Sequence, residues 1–280
     1  MEQITTELDY NNGTGELPEG AFRISASSFS NFMNYPHQWY REKILGEEGF
    51  SGNTASVLGT CVHYCAEKVA KGETVDKVEI ERYINTFRSN EDVDLYEVKS
   101  QYPLMAETLV NDYVLQNMPT QVEPFVKHEI APGFFPSGSI DAIQGDNDSS
   151  MIIDYKTYNS KTKPKSIPLH YKYQLLIYAY ICGENGTNID RIRLVYINRN
   201  IDGGVSEKTG KPLKSYPPEV TVLTDQVTEE DIEFIKSLLN LCVDTVRLAL
   251  EKPELAYMLF RDYRLKLDSP KQDSKQTKFN

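Results

Sequence analysis

Apolar and polar positions sort into short β-type runs and longer helical stripes, and the stretch Ser137–Thr157 (SGSIDAIQGDNDSSMIIDYKT) organises the rest. Ile140, Ala142 and Ile143 surround Asp141, a Gly/Asp/Asn/Ser turn occupies 145–150, and Met151-Ile152-Ile153 leads into Asp154, Tyr155 and Lys156. Two short β-type runs about such a turn predict a hairpin. Side chains alternate along a strand, so Asp154 and Lys156 share one face and Tyr155 takes the other.

Helical stripes flank this region. Phe29, Phe32, Met33, Trp39, Tyr40 and Ile44 follow the serine cluster Ser25–Ser28, with Pro36 dividing the segment. These aromatics either face the core or stack on bases. A second helix is predicted over 55–70, and more polar ones over 75–88 and 95–117, the last with Pro103 near its start. Residues 122–130 read as one β-type run holding Glu123 and Glu129. A nearly all-apolar helix over 168–182 carries Gln174 one turn before Tyr178, and a buried amide needs a partner or faces a ligand. Strands at 191–198 and 219–223 precede a helix capped by Thr228 with Glu229, Glu230 and Asp231 in its first turn. Residues 1–22 read as a flexible arm and 268–280 as a disordered polar tail.

A chain of 280 residues buries a substantial core. It has no apolar run of the roughly 18–20 residues that a membrane span needs. The acidic, polar N-terminus does not read as a secretion signal. Cys61, Cys65, Cys182 and Cys242 lack CxxC spacing and read as reduced core thiols of a cytoplasmic protein, although Cys61 and Cys65 flank His63. A net charge of −11 excludes coating nucleic acid with the whole surface. Charge is nevertheless segregated. From Tyr155 to Gly183 there is no Asp or Glu, while Lys156, Lys161, Lys163, Lys165 and Lys172 are present.

Two carboxylates and an ammonium on neighbouring strands admit two readings. A carboxylate among isoleucines is costly unless compensated, and a divalent cation is one compensation. The other reading is a Lys–Asp pair on a solvated hairpin. His63 and Glu67 share a helix face, as either a structural histidine and its neighbour or part of a site.

Taken together, these positions resemble the RecB-type branch of the PD-(D/E)XK nuclease superfamily. That branch includes phage exonucleases, nuclease domains of recombination helicases, CRISPR-associated RecB-like exonucleases and a mitochondrial genome-maintenance exonuclease. The resemblance spans roughly residues 24 to 200. It rests on Ser25-Ala26-Ser27-Ser28-Phe29 leading to Tyr35-Pro36, and on Gly59-Thr60 before His63 and Glu67. It continues through Gly138-Ser139-Ile140-Asp141, Asp154-Tyr155-Lys156-Thr157, and Gln174 before Tyr178. Each is weak alone, but their shared order is specific.

The resemblance implies an α/β fold: a central mixed β-sheet flanked by helices, a restriction-endonuclease-like core with an N-terminal helical region. One nuclease domain would cover 23–267, with a helical part at 23–120 and a catalytic core at 121–267. Asp141, Asp154, Lys156 and an upstream acid would be catalytic; Glu129 is the expected acid, with Glu123 competing. His63, Asp141, Asp154 and the Tyr155 carbonyl would hold one or two Mg²⁺ or Mn²⁺ ions. Gln174, Tyr178, Lys161, Lys163, Lys165 and Lys172 would contact DNA, and the N-terminal aromatic helices would form part of its channel. Iron–sulfur members have a Cys where Tyr35 stands and more Cys near the C-terminus, so no cluster is expected here. The implied activity is a metal-dependent DNA exonuclease acting on single strands or ends in recombination, repair or replication. The alternatives are a flap or branch endonuclease, or a non-catalytic DNA-binding module. A helicase or single-strand-binding partner, no membrane, and the cytoplasm of a bacterial or phage-infected cell complete the expectation.

Overall fold

The strands form a three-stranded and a five-stranded sheet, and the chain passes from one to the other at Glu123-Pro124 and at Ile140-Asp141. The computed structural model describes residues 16–260 apart from 48, 50, 147 and 207, with Tyr257 as backbone only. The first fifteen residues of the expected arm, and the expected tail at 268–280, lie outside the described residues.

β1 (Phe22–Ser25) runs parallel to β4 (Phe134–Ser139), which pairs antiparallel with β3 (Phe125–Lys127). The second sheet has the order β2 (Gln121–Val122), β5 (Ala142–Gly145), β6 (Ser150–Tyr158), β7 (Ile189–Asn198), β8 (Val220–Gln226). Only β6 and β7 are parallel in it, joined by the crossover helix α6 (Leu169–Glu184). The predicted hairpin is β5–β6. At its turn Gly145 has φ +131°, and a Cβ there would overlap the Ser149 carbonyl, so the turn requires glycine.

Alternation along β6 assigns the two faces. Ile152, with Ile192 and Leu194 of β7, joins a core with Leu175 and Leu176 of α6 and with Ile235 and Leu239 of α7 (Glu229–Glu251). Met151, Ile153 and Tyr155 join the opposite core, with Val57, Leu58 and Val62 of α3 (Thr54–Ala70) and Met105 and Leu109 of α5 (Leu95–Asp112). α4 (Lys77–Thr86) completes that layer. The result is the mixed sheet flanked by helices that the resemblance implies.

Asn53 and Ser56 cap α3 reciprocally, Asp94 caps α5, and Thr228 with Asp231 caps α7. Pro103 lies inside α5 rather than near its start. Pro36 separates α1 (Phe29–Asn34) from α2 (Pro36–Lys43). Phe29, Phe32 and Trp39 are buried in the α6-side core, so these rings do not line a DNA channel. The expected single strand at 122–130 is instead two short strands in different sheets, broken at Glu123-Pro124. After α7, α8 (Pro253–Leu259) brings Phe260 back onto Trp39 and Tyr40, with ring centroids 6.1 and 4.7 Å apart.

Candidate active site

The break at Glu123-Pro124 is where the site is made. β3 pairs with β4 in one sheet and β2 with β5 in the other. Between them the Ile140 amide donates to the Pro124 carbonyl, and the Glu123 amide to the Asp141 carbonyl, each at 3.1 Å. The paired strands therefore cross from sheet to sheet together. Glu123 takes up the turn with φ +53°, a conformation costing a non-glycine residue about 1–3 kcal/mol. Glu123 and Asp141 thereby line one cavity of about 780 Å³ with His63, Lys156, Gln174 and Tyr178.

Backbone and side chains fix this cluster. Asp141 Oδ2 accepts from the Tyr155 amide at 2.7 Å and lies 3.4 Å from His63 Nδ1 of α3. Asp154, buried in the middle of β6, lies beneath Lys156. Lys156 Nζ stands 2.8 Å from each carboxylate oxygen and donates to Oδ1, which also accepts from Gln174 Nε2 at 3.0 Å. Oδ2 is buried without an aligned hydrogen-bond donor. Gly138 makes room for the ring of Tyr178 from α6.

Burial raises all three carboxyls. Asp154 is pushed to about 6, by burial against the pull of Lys156 and with help from Asp141. Asp141 rises by burial despite Lys156. Glu123 rises to about 9, by burial and then by Asp141 and Glu67. Burial would lower Lys156, but Asp154 and Asp141 outweigh it and hold the ammonium above its ordinary value. Burial and then Lys156 lower His63 to about 4, so its imidazole is neutral near pH 7. Burial thus favours the neutral form of these carboxyls, Glu123 above all, until a cation compensates their charge.

The structure brings His63, Asp141, Asp154, Lys156, Gln174 and Tyr178 together and leaves other expected residues outside. Glu129 is exposed, its carboxylate accepting from the Gly133 amide at 2.9 Å, while its competitor Glu123 lines the cavity. The Lys161, Lys163 and Lys165 side chains do not line it, and Lys163 pairs with Glu219. Lys172 points elsewhere, toward Asp231 at 3.4 Å and Asp225 at 3.8 Å. Tyr155 buries its ring in the α3-side core, and only its backbone faces the site. Cys61 and Cys65 are buried, free core thiols. Sequence reasoning missed Arg23 and Lys43, which also line the cavity, as do Ser25, Ser27 and Ser28. Arg23 Nε is buried without a partner. Its signal was available: an arginine within an apolar β-type run just before the serine cluster.

The donor chemistry suits a hard divalent cation. Clustered carboxyls whose charged form burial disfavours are what Mg²⁺ and Mn²⁺ compensate, and a neutral imidazole suits Mn²⁺. Among the described residues, however, no three His, Cys, Asp or Glu stand together as a ready coordination group. Here Lys156 and Gln174 hold Asp154 instead.

No curated protein sequence matches the chain. A solved structure of a putative exonuclease from Eubacterium rectale is similar over 89% of this chain and 86% of its own, at 14% identity and TM-score 0.51. At that identity the likeness is one of fold. An alkaline exonuclease from Laribacter hongkongensis (15% identity, 69% of this chain and 93% of that one) has a TM-score of 0.34. A phage-related exonuclease from Haemophilus somnus (12% identity, 79% of this chain and 91% of that one) has a TM-score of 0.36. The family profile of the PD-(D/E)XK nuclease superfamily matches residues 23–247, a span that includes every residue of the cavity cluster, and the chain belongs to that superfamily.

Proposed function

We propose that this chain is a divalent-metal-dependent deoxyribonuclease that hydrolyses phosphodiester bonds at the ends of single-stranded DNA. The observation that carries the reading is the convergence of Asp141, Asp154 and Lys156 under one cavity, with the Lys156 ammonium 2.8 Å from both Asp154 oxygens. Asp141 and Asp154 would hold the ion, with Glu123 as the upstream acid and His63 and the Tyr155 carbonyl beside them. When bound, Mg²⁺ or Mn²⁺ activates water near neutral pH and offsets charge on the phosphate.

The chain's own residues supply the rest. Lys156 is kept protonated by its two carboxylate neighbours, so it acts as a cation and hydrogen-bond donor rather than as a base. It would steady charge developing on the attacked phosphate or orient the water. Gln174 holds the Asp154 carboxylate in place. Arg23 and Lys43, which line the same cavity, would hold backbone phosphates, and an arginine's fork suits that task. Action at ends rests on the resemblance to the exonuclease branch. The acidic arm and polar tail would be the places for a helicase or single-strand-binding partner in recombination, repair or replication. No described helix is long and apolar enough to cross a membrane.

The test compares the parent with Asp154→Ala on linear and covalently closed circular single-stranded DNA, with Mg²⁺ or Mn²⁺. The expected result is degradation of the linear strand alone, lost in Asp154→Ala while DNA binding persists. Cutting of the circle would make the protein an endonuclease. Undiminished cutting by Asp154→Ala would sink the site.

A further inference from the structure

None of the roles above uses the aromatic edge that begins beside Lys156. β6 and β7 are parallel and end together, the Arg199 amide donating to the Tyr158 carbonyl at 3.0 Å, and α6 starts at this edge. Lys156 pairs in register with Tyr196, and its Nζ stands 5.2 Å from the centroid of the Tyr171 ring. From there the rings continue outward. Tyr171 lies 6.3 Å from Tyr196 at 65°, and His170 lies 4.0 Å from Tyr171 at 49°. Tyr196 is buried, Tyr171 half-buried and His170 exposed, with the neighbouring Leu169 61% exposed. This run of rings begins at the Lys156 ammonium and ends in the solvent-exposed His170.

The charge around this lip favours a polyanion. Residues 159–168 contain no acid and carry Lys161 and Lys165, besides Lys163, whose ammonium pairs with Glu219. The first turn of α6 has neither an acidic residue nor a capping side chain. Aromatic rings interleaved with lysines are the composition that holds single strands, the rings taking bases and the ammoniums taking phosphates.

We propose that His170 and Tyr171 form a stacking ledge for a nucleobase next to the phosphate held at Lys156, an inference that rests on the nuclease reading above. Duplex bases are already stacked on their neighbours, so a ledge of this kind selects an unpaired nucleotide. The segment 159–168 then tracks the strand's phosphates away from the pocket. A purely structural role for the pair, as a lid over Tyr196, would make stability depend on it but not base recognition.

The test scans a single abasic position through a short linear single-stranded DNA and measures binding to the full chain in EDTA, where no cleavage occurs. The parent is expected to lose about tenfold in affinity when one particular position lacks its base. His170→Ala leaves the Lys156–Tyr171 contact in place and is expected to bind intact strand as weakly as abasic strand, while His170→Phe restores the difference. Equal binding of intact and abasic strands by the parent, or unchanged discrimination in His170→Ala, overturns the ledge. Cleavage of intact strand with Mg²⁺ or Mn²⁺ is measured alongside. A parent that cleaves without any abasic effect loses only the ledge, whereas a parent that neither binds nor cleaves loses the nuclease reading and the ledge together.

Discussion

A Cβ added to Gly138 would stand 2.7 Å from the hydroxyl oxygen of Tyr178, and 3.0 Å and 3.2 Å from two of its ring carbons. Tyr178 is buried on α6 with its ring set against Gly138. The glycine before Asp141 is therefore a packing requirement of the helix opposite, not of its own backbone angles. Gly138→Ala is expected to destabilise the fold by about 1–3 kcal/mol through overpacking. Tyr178→Phe removes the nearest atom and should restore part of the loss in the double variant. Denaturant unfolding of the single and double variants reads the coupling. Additive effects would show that the two residues do not meet.

Gln174 offers a way to separate positioning from substrate contact. Its Nε2 donates to the same Asp154 oxygen that Lys156 holds, so the amide is committed to the carboxylate rather than to DNA. Gln174→Met keeps the volume and removes the donor. Loss of such an outer partner typically costs 10–100-fold in activity. The expected result is a fall in kcat of about that size with KM for DNA unchanged. A rise in KM at constant kcat would instead return Gln174 to the substrate-binding role that its sequence position suggests.

The hairpin was legible because its signals are local. Gly145 marks the turn and alternation places Asp154 with Lys156, and both features survive in the fold. Asp141 was placed correctly in sequence but not in structure, since it sits after β4 at the crossing between sheets rather than within a strand. The acidic partner was harder. Glu129 and Glu123 lie in one apolar run, and only the crossing at Glu123-Pro124 decides which of them meets Asp141. Pro124 was the available hint, because proline disfavours an uninterrupted strand. The lysine block was harder to read for a different reason. The partners of Lys163 and Lys172 are Glu219, Asp225 and Asp231, more than forty residues downstream, and a charge count along the chain cannot see them.

Phe260 pins the end of the described chain to its beginning. The ring is buried, stacked on Tyr40 and Trp39 of α2, and no cysteine takes part in the fastening. Phe260→Ala should cost about 3–5 kcal/mol, as other buried aromatic truncations do. The chain has one tryptophan, Trp39, so its emission reports this contact directly. The variant should show a red-shifted emission together with a lower unfolding midpoint. Unchanged emission would mean that Trp39 stays buried without Phe260.

The raised carboxyls make a prediction whose sign can be worked out from Glu123. Burial, then Asp141 and Glu67, push its folded value to about 9, against about 4.3 in an unfolded chain. Between those values the folded protein holds a proton that the unfolded chain has released. Its stabilising contribution is complete below pH about 4.3 and is lost as pH rises toward 9. Glu123→Gln keeps the shape of the protonated side chain but cannot ionise. Without added metal, the parent's Tm should fall from pH 5 to pH 9 more steeply than the variant's, with Glu123→Gln the more stable at pH 9. Asp141 and Asp154 leave the variant some residual slope, since their carboxyls are raised as well. Adding Mn²⁺ should reverse the order at pH 9, because a cation offsets the ionised parent and gains less from the neutral amide. Parallel Tm curves for parent and variant across that range, with and without Mn²⁺, would remove Glu123 from the charged cluster and return the role of upstream acid to Glu129.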